Sequence, residues 1–240
     1  MTATEVSITG KYLEQSSTVK PTPGTGVTAE PNPLAYLPAP SYQTCSCTSP
    51  TSLTEMSVSS YTIPAGCYSS ITMMDVGTVN FSAGTCVTGT ITLQSDTTVN
   101  FAAGTYVING VTMQSVGTVN FGAGTYVING GSAVFQSTGI SGSGVMFYIN
   151  GGALTMQASS TESLSGPTSG TYADILFFQN PSDTSQATVQ AGTFAIDGVL
   201  YFPTAKLVVQ GGGGTIEGGI IADEILFQSS KFTVQELPLK

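Results

Sequence analysis

The sequence predicts an all-β fold, a right-handed parallel β-helix with coils of about 20 residues, and three observations predict it. First, Thr78-Val79-Asn80-Phe81-Ser82-Ala83-Gly84-Thr85 recurs as Thr98-Val99-Asn100-Phe101-Ala102-Ala103-Gly104-Thr105. It returns as Thr118-Val119-Asn120-Phe121-Gly122-Ala123-Gly124-Thr125, a spacing of 20 both times. Second, apolar and polar residues alternate with period 2 inside each unit, and no window carries the 3.6-residue stripe of a helix. Third, a unit this short is half a propeller blade and lacks the Leu/Asn signature of leucine-rich repeats. Stacked coils about 4.8 Å apart are the remaining solution.

Within that fold each column of the repeat becomes a ladder. The inward ladders expected are Val79/Val99/Val119, Phe81/Phe101/Phe121 and Leu93/Met113/Phe135/Met156/Val209/Phe227. A glutamine column, Gln94, Gln114, Gln136, Gln157, Gln190, Gln210 and Gln228, runs along the chain at spacings of 20, 22, 21, 33, 20 and 18. One coil, between Gln157 and Gln190, therefore carries an insertion of about a dozen residues, and the whole makes roughly eight or nine coils.

Residues 1–52 differ from the solenoid expected over 53–240. Seven of the twelve prolines fall between Pro21 and Pro50, which forbids continuous strand pairing there. Leu34, Tyr36 and Leu37 among them mark a loop pinned on the solenoid. Val6, Ile8 and Tyr12 read as a short strand, the remnant of an earlier coil.

Composition narrows function. Charged residues make up 8 %, against about 25 % in an ordinary soluble domain, and Gly, Thr, Ser and Asn take their place. The net charge is −9, with no arginine or histidine and no lysine between Lys20 and Lys206. Nucleic acid needs clustered cations, so it is excluded as a partner. No cofactor or metal is expected. Polysaccharide hydrolases and lyases need paired carboxylates or a base beside Arg, Lys or calcium. The acids here are mostly singletons, and Asp223-Glu224 would face opposite ways on a strand. The expectation is that the chain is not an enzyme.

Four cysteines, Cys45, Cys47, Cys67 and Cys86, all lie in the first 90 residues. Zinc prefers wider Cys-x-x-Cys knuckles or added histidine, so disulfides in an exported chain are the reading. Aligning Ile63-Pro64-Ala65-Gly66 with Phe81-Ser82-Ala83-Gly84 puts Cys67 opposite Thr85, one position out of step with Cys86. Cys45 or Cys47 is therefore expected to pair with Cys67 or Cys86, stapling the Pro-rich segment to the solenoid. Terminal coils need caps, expected from the stretch before Ser57 or the tail Glu236–Lys240, with end-to-end or lateral self-association as the alternative. No signal peptide or anchor opens the chain, so an exported protein would have lost its targeting segment or left it in a longer parent.

An outward grid, Thr78, Thr98 and Thr118 beside Asn80, Asn100 and Asn120, is a candidate binding ladder. Stacked amides that bond one another up the solenoid are the structural reading of the same residues. Regular threonine grids also occur on ice-binding solenoids.

Asn32-Pro33-Leu34-Ala35-Tyr36-Leu37-Pro38-Ala39-Pro40 followed by Cys45 resembles the Asp-Pro-Leu-Ala-x-Leu-Pro-x-Pro…Cys stretch of bacterial Tad/Flp pilus-assembly proteins of the TadG-like type. Ala123–Gly131, Gly166–Gln179, Gly198–Leu207 and Ile220–Asp223 are similar to segments found in the same order there. The resemblance covers about residues 20–235. The chain departs from it at Gly218-Gly219, where relatives often place a cysteine, and in lacking the anchor. What the resemblance implies is a non-enzymatic structural or adhesive component of a bacterial cell surface, associated with pili. Its partners would be other surface or pilus proteins and glycans, and its location extracellular or on the cell surface. The alternatives kept open are a carbohydrate-active β-helix enzyme and an ice-binding solenoid.

Overall fold

A computed structural model describes residues 7–8, 24–25, 31–228 and 232–236. No helix occurs among them. The strands are β1 (Ser7–Ile8), β2 (Gly24–Thr25), β3 (Thr51–Met56), β4 (Ser60–Ile63), β5 (Gly66–Met74), β6 (Thr78–Phe81), β7 (Thr85–Gln94), β8 (Thr98–Phe101) and β9 (Gly104–Phe121). They continue as β10 (Gly124–Asn129), β11 (Ala133–Gly142), β12 (Val145–Asn150), β13 (Leu154–Ser165), β14 (Ile175–Gln179), β15 (Ala187–Gly211), β16 (Gly214–Gln228) and β17 (Phe232–Glu236). Every solenoid pairing is parallel, and the stack makes about nine turns. The chain is a parallel β-helix.

Each coil contributes to three parallel ladders. On one side Thr72, Thr92 and Thr112 are in register. On a second, Phe81 pairs with Phe101 and Phe101 with Phe121. The third runs from β5 through β7, β9, β10, β12 and β14 into β15 and β16.

The expected phenylalanine column is present. Phe81 and Phe101 stack at 4.5 Å between ring centroids, and Phe101 and Phe121 at 5.2 Å. Tyr106 and Tyr126 stack at 5.1 Å and meet the phenylalanines edge-on, an arrangement that adds to simple burial. Burial pushes the Tyr106 hydroxyl up to about 12, although it donates to the Ala102 carbonyl at 2.8 Å. The Met73, Leu93, Met113, Phe135, Met156 and Val189 column is likewise buried.

The corner after the first ladder repeats a backbone device. Ser57, Asp75, Ser95 and Ser115 have φ of 55°, 55°, 58° and 55°, left-handed at equivalent points of four coils. The insertion resolves into two places. Phe147 pairs with Phe177 and Leu154 with Ala187, so most extra residues lie in the 166–174 loop and the rest in 180–186. Gly211–Gly214 is a tight corner, not a loose turn: a Cβ on Gly212 would strike the Gly192 carbonyl and one on Gly214 the Phe194 carbonyl.

Three expectations at the N-terminal end change. The first solenoid strand begins at Thr51, two residues before the expected boundary. Ser7–Ile8 pairs with Gly24–Thr25 in a separate two-stranded sheet, so it is not a rung of the solenoid; Val6 and Tyr12 lie outside the described residues. Residues 31–50 run along the flank of the stack instead of covering its end, because an apolar column there receives them. The rest of the expected caps, residues 1–30 and 237–240, falls largely outside the described residues, and β17 adds a further rung on β16.

Candidate functional site

The third ladder is apolar on both faces. Its outward column reads Cys67, Cys86, Val107, Val127, Tyr148, Phe178, Tyr201 and Ile221, each in register with the next. The Pro-rich strap lies on this column and forms a second core with it, around Leu34, Val107, Val127, Tyr148, Phe178 and Tyr201. Proline suits the strap because it supplies no ladder donor and keeps the chain extended.

The strap runs against the direction of coil growth. Asn32 Nδ2 donates to the Tyr201 hydroxyl at 2.8 Å, at the late coils. The Asn32 side-chain oxygen accepts from the Leu34 N–H at 3.0 Å, turning Leu34 inward to 2 % exposure. Tyr36, expected to be pinned with it, is 76 % exposed, because the turn at 33–36 points it away. Tyr172, from the insertion loop, donates to the Pro38 carbonyl at 3.1 Å. Tyr42 donates to Asn129 Oδ1 at 2.9 Å and accepts from Asn150 Nδ2 at 2.9 Å.

Covalent bonds finish the strap. Cys45 joins Cys86 and Cys47 joins Cys67, both with Cα atoms 5.7 Å apart. Staple and pairing type agree with the expectation, but the alignment behind it needs correction. Cys67 is directly in register with Cys86, and Gly66 with Thr85. The second coil has one more corner residue than the first, ending in Gly84 at φ 80°, which shifts the frame by one. The two cysteines still do not bond each other, since both project outward toward the strap. Among the described residues, the metal-ligand-type side chains that converge in a trio are Cys47, Cys67 and Cys86, whose sulfurs lie within 4.8 Å of one another.

The candidate ladder residues occupy the second side. Thr78, Thr98 and Thr118 are in register there, as are Asn80, Asn100 and Asn120. Asn100 donates to Asn80 at 2.9 Å, Asn120 to Asn100 at 2.8 Å, and Ser141 to Asn120 at 2.8 Å. Much of the amide capacity is thus spent within the ladder. A longer outward column stands on the first side: Thr54, Thr72, Thr92, Thr112, Val134, Thr155 and Thr188. Beside it Gln136 donates to Gln157 at 2.7 Å and Gln157 to Gln190 at 3.1 Å. Its glutamines were legible as a repeat; its threonines form the larger of the two hydroxyl arrays.

The carboxylates are placed in two ways. Asp96 Oδ1 accepts the Val76 N–H at 2.8 Å inside the corner; burial first, then the charge of Asp75, raises its pKa, while that hydrogen bond opposes the rise. Glu162 points into the solenoid between Ile140 and Phe194, with neither carboxyl oxygen hydrogen-bonded. Burial alone holds its pKa well above the ordinary 4.5. A surface pocket of about 260 Å³ lies under the insertion loop, lined by Thr125, Met146, Pro167, Ser169, Thr171 and Tyr172 among others.

A family model described as a domain of unknown function (DUF7305) matches residues 48–236. The chain belongs to that family. The DUF7305 match begins between the second strap cysteine and the first solenoid strand and ends with β17, so the family unit is the solenoid itself. No curated protein and no solved structure matches the chain.

Proposed function

We propose that this DUF7305 chain is a non-enzymatic structural or adhesive component of a bacterial cell surface, associated with pili. The observation that carries the reading is the pair of uncharged hydroxyl and amide faces that run along a disulfide-braced rod. Such faces suit repetitive hydrogen bonding to another surface protein or a glycan without a deep site. Disulfides persist in oxidising surroundings, which supports an extracellular or cell-surface location. The resemblance of Asn32–Pro40 and Gly166–Gln179 to Tad/Flp pilus-assembly proteins supports the pilus association.

The test is deletion of the gene in the bacterium that encodes it, followed by an adhesion assay on glycan-coated and bare surfaces. Adhesion is expected to fall, to return with the wild-type chain, and not to return with a Thr92→Lys/Thr112→Lys/Thr155→Lys variant that charges the broad face. Undiminished adhesion in the deletion strain refutes the proposal. Release of reducing sugars from polysaccharides by the purified chain would favour the enzyme reading, and inhibition of ice growth the ice-binding one.

A further inference from the structure

We propose that in the reduced protein the four cysteine sulfurs form one tetrathiolate site for a soft divalent cation of the zinc class. The spacing Cys45-Ser46-Cys47 argues against zinc when knuckle spacing is the only guide. The fold removes that objection, because it recruits the other two ligands from neighbouring coils rather than from neighbouring sequence. Cys67 and Cys86 are adjacent rungs of one column, and the strap lays Cys47 and Cys45 on them. The Cys47, Cys67 and Cys86 sulfurs are already within 4.8 Å of one another, and the Cys45 sulfur is bonded to that of Cys86. With Zn–S bonds of about 2.3 Å, a tetrahedral site has sulfur–sulfur edges of about 3.8 Å, so small side-chain rotations suffice.

The site does not depend on the disulfides for its assembly. The strap is held independently by Asn32 on Tyr201, Pro38 on Tyr172, Tyr42 on Asn129 and Asn150, and buried Leu34. Breaking both S–S bonds therefore leaves the four Cα positions assembled. The sequence between Lys20 and Lys206 holds no lysine, arginine or histidine, so in the absence of metal the four reduced sulfurs stay protonated thiols, and thiolate formation is coupled to binding of the cation. Each disulfide takes two electrons from the reductant and becomes two thiols. With a phosphine the two protons come from water, whose oxygen leaves as phosphine oxide; with a dithiol they come from the reductant's own thiols, which close to a disulfide. The cation then displaces four protons as it binds four thiolates. One locus thus has two mutually exclusive fastenings, metal in a reducing compartment and disulfides in an oxidising one. This inference is independent of the surface role proposed above.

The experiment uses the full chain, reduced with a phosphine under nitrogen, freed of reductant and titrated with cadmium ion. Thiolate-to-cadmium absorption is expected to saturate at one cation per chain, with zinc ion competing and shielding all four thiols from alkylation. The oxidised chain is expected to show no band. Cys45→Ser is expected to lower cadmium affinity by at least about tenfold, as are the other three single substitutions. Saturation at any other ratio, unshielded thiols, or a Cys45→Ser variant that titrates like the wild type overturns the proposal. Far-UV circular dichroism is recorded alongside. If reduction alone abolishes the β spectrum, added cadmium must restore it, and failure to do so is equally decisive against the site.

Discussion

Glu162 makes folding of this chain take up a proton. In the unfolded chain its carboxyl ionises around 4.5, whereas in the solenoid it is buried, unpartnered and holds its proton to much higher pH. Below the unfolded pKa both states are protonated and this group imposes no pH dependence. Above it the unfolded state binds fewer protons than the folded one, so stability falls as pH rises, by about 1.4 kcal/mol per unit once ionisation of the unfolded chain is complete. Glu162→Gln keeps the shape and removes the titration. Its stability relative to the wild type is expected to improve as pH rises from 5 toward 7, because burial holds the folded-state pKa of Glu162 well above its unfolded 4.5. Urea denaturation of the oxidised protein at pH 5, 6 and 7, followed by circular dichroism, measures that difference. A flat difference across this range would falsify the placement of an unpartnered, protonated carboxyl among Ile140 and Phe194. Glu162→Leu, which matches those neighbours, should show the same pH trend and a further gain from removing the unpaired polar group.

Other outcomes follow from the ladders and the strap. Replacing Cys45 and Cys86 by serine opens a link across 41 residues and should cost about 4 kcal/mol; replacing Cys47 and Cys67 opens one across 20 and should cost about 3 kcal/mol, both read from urea midpoints. Asn100→Ala removes the centre of the amide ladder and should cost about 1–2 kcal/mol, with Asn120→Ala, which breaks its own bond to Asn100 and the one from Ser141, in the same range. Gly131→Ala drives a Cβ into the Asn109 carbonyl and should cost about 1–3 kcal/mol although its φ is not left-handed; a neutral result would mean that the neighbouring coil yields freely.

The coil period, the inward ladders and the insertion were legible because a solenoid repeats its physics along the chain, so Phe81, Phe101 and Phe121 report one another. The strap column was legible too, but by a different sign. Tyr106-Val107-Ile108, Phe147-Tyr148-Ile149 and Ile175-Leu176-Phe177-Phe178 are continuous apolar runs, the mark of strands covered on both faces. Counting only the alternating positions misses it, and with it the reason for the Pro-rich segment. The frame at Cys67 was not legible. A single extra corner residue before Gly84 shifts the alignment, and corners in a solenoid tolerate such additions while strands do not. Glu162 was hidden for another reason: it keeps the inward parity of Leu154, Met156 and Ala158, but a charged residue type at that position reads as solvent-facing until its register with Ile140 and Phe194 is seen.

The path of the strap brings the start of the Pro-rich segment and the last coils to the same pole of the rod. The described chain enters beside Tyr201, descends the flank to Cys47, turns into β3 and only then climbs coil by coil back to β16. Entry and exit therefore sit near the same pole, although the stack between the poles is roughly 40 Å tall at about 4.8 Å per turn. A tether through either end would leave the coil of Leu53, Glu55 and Met56 as the distal tip, with the disulfides close behind it. Tension applied between the two ends would act across neighbouring late coils, leaving the cysteine-locked tip outside the line of force.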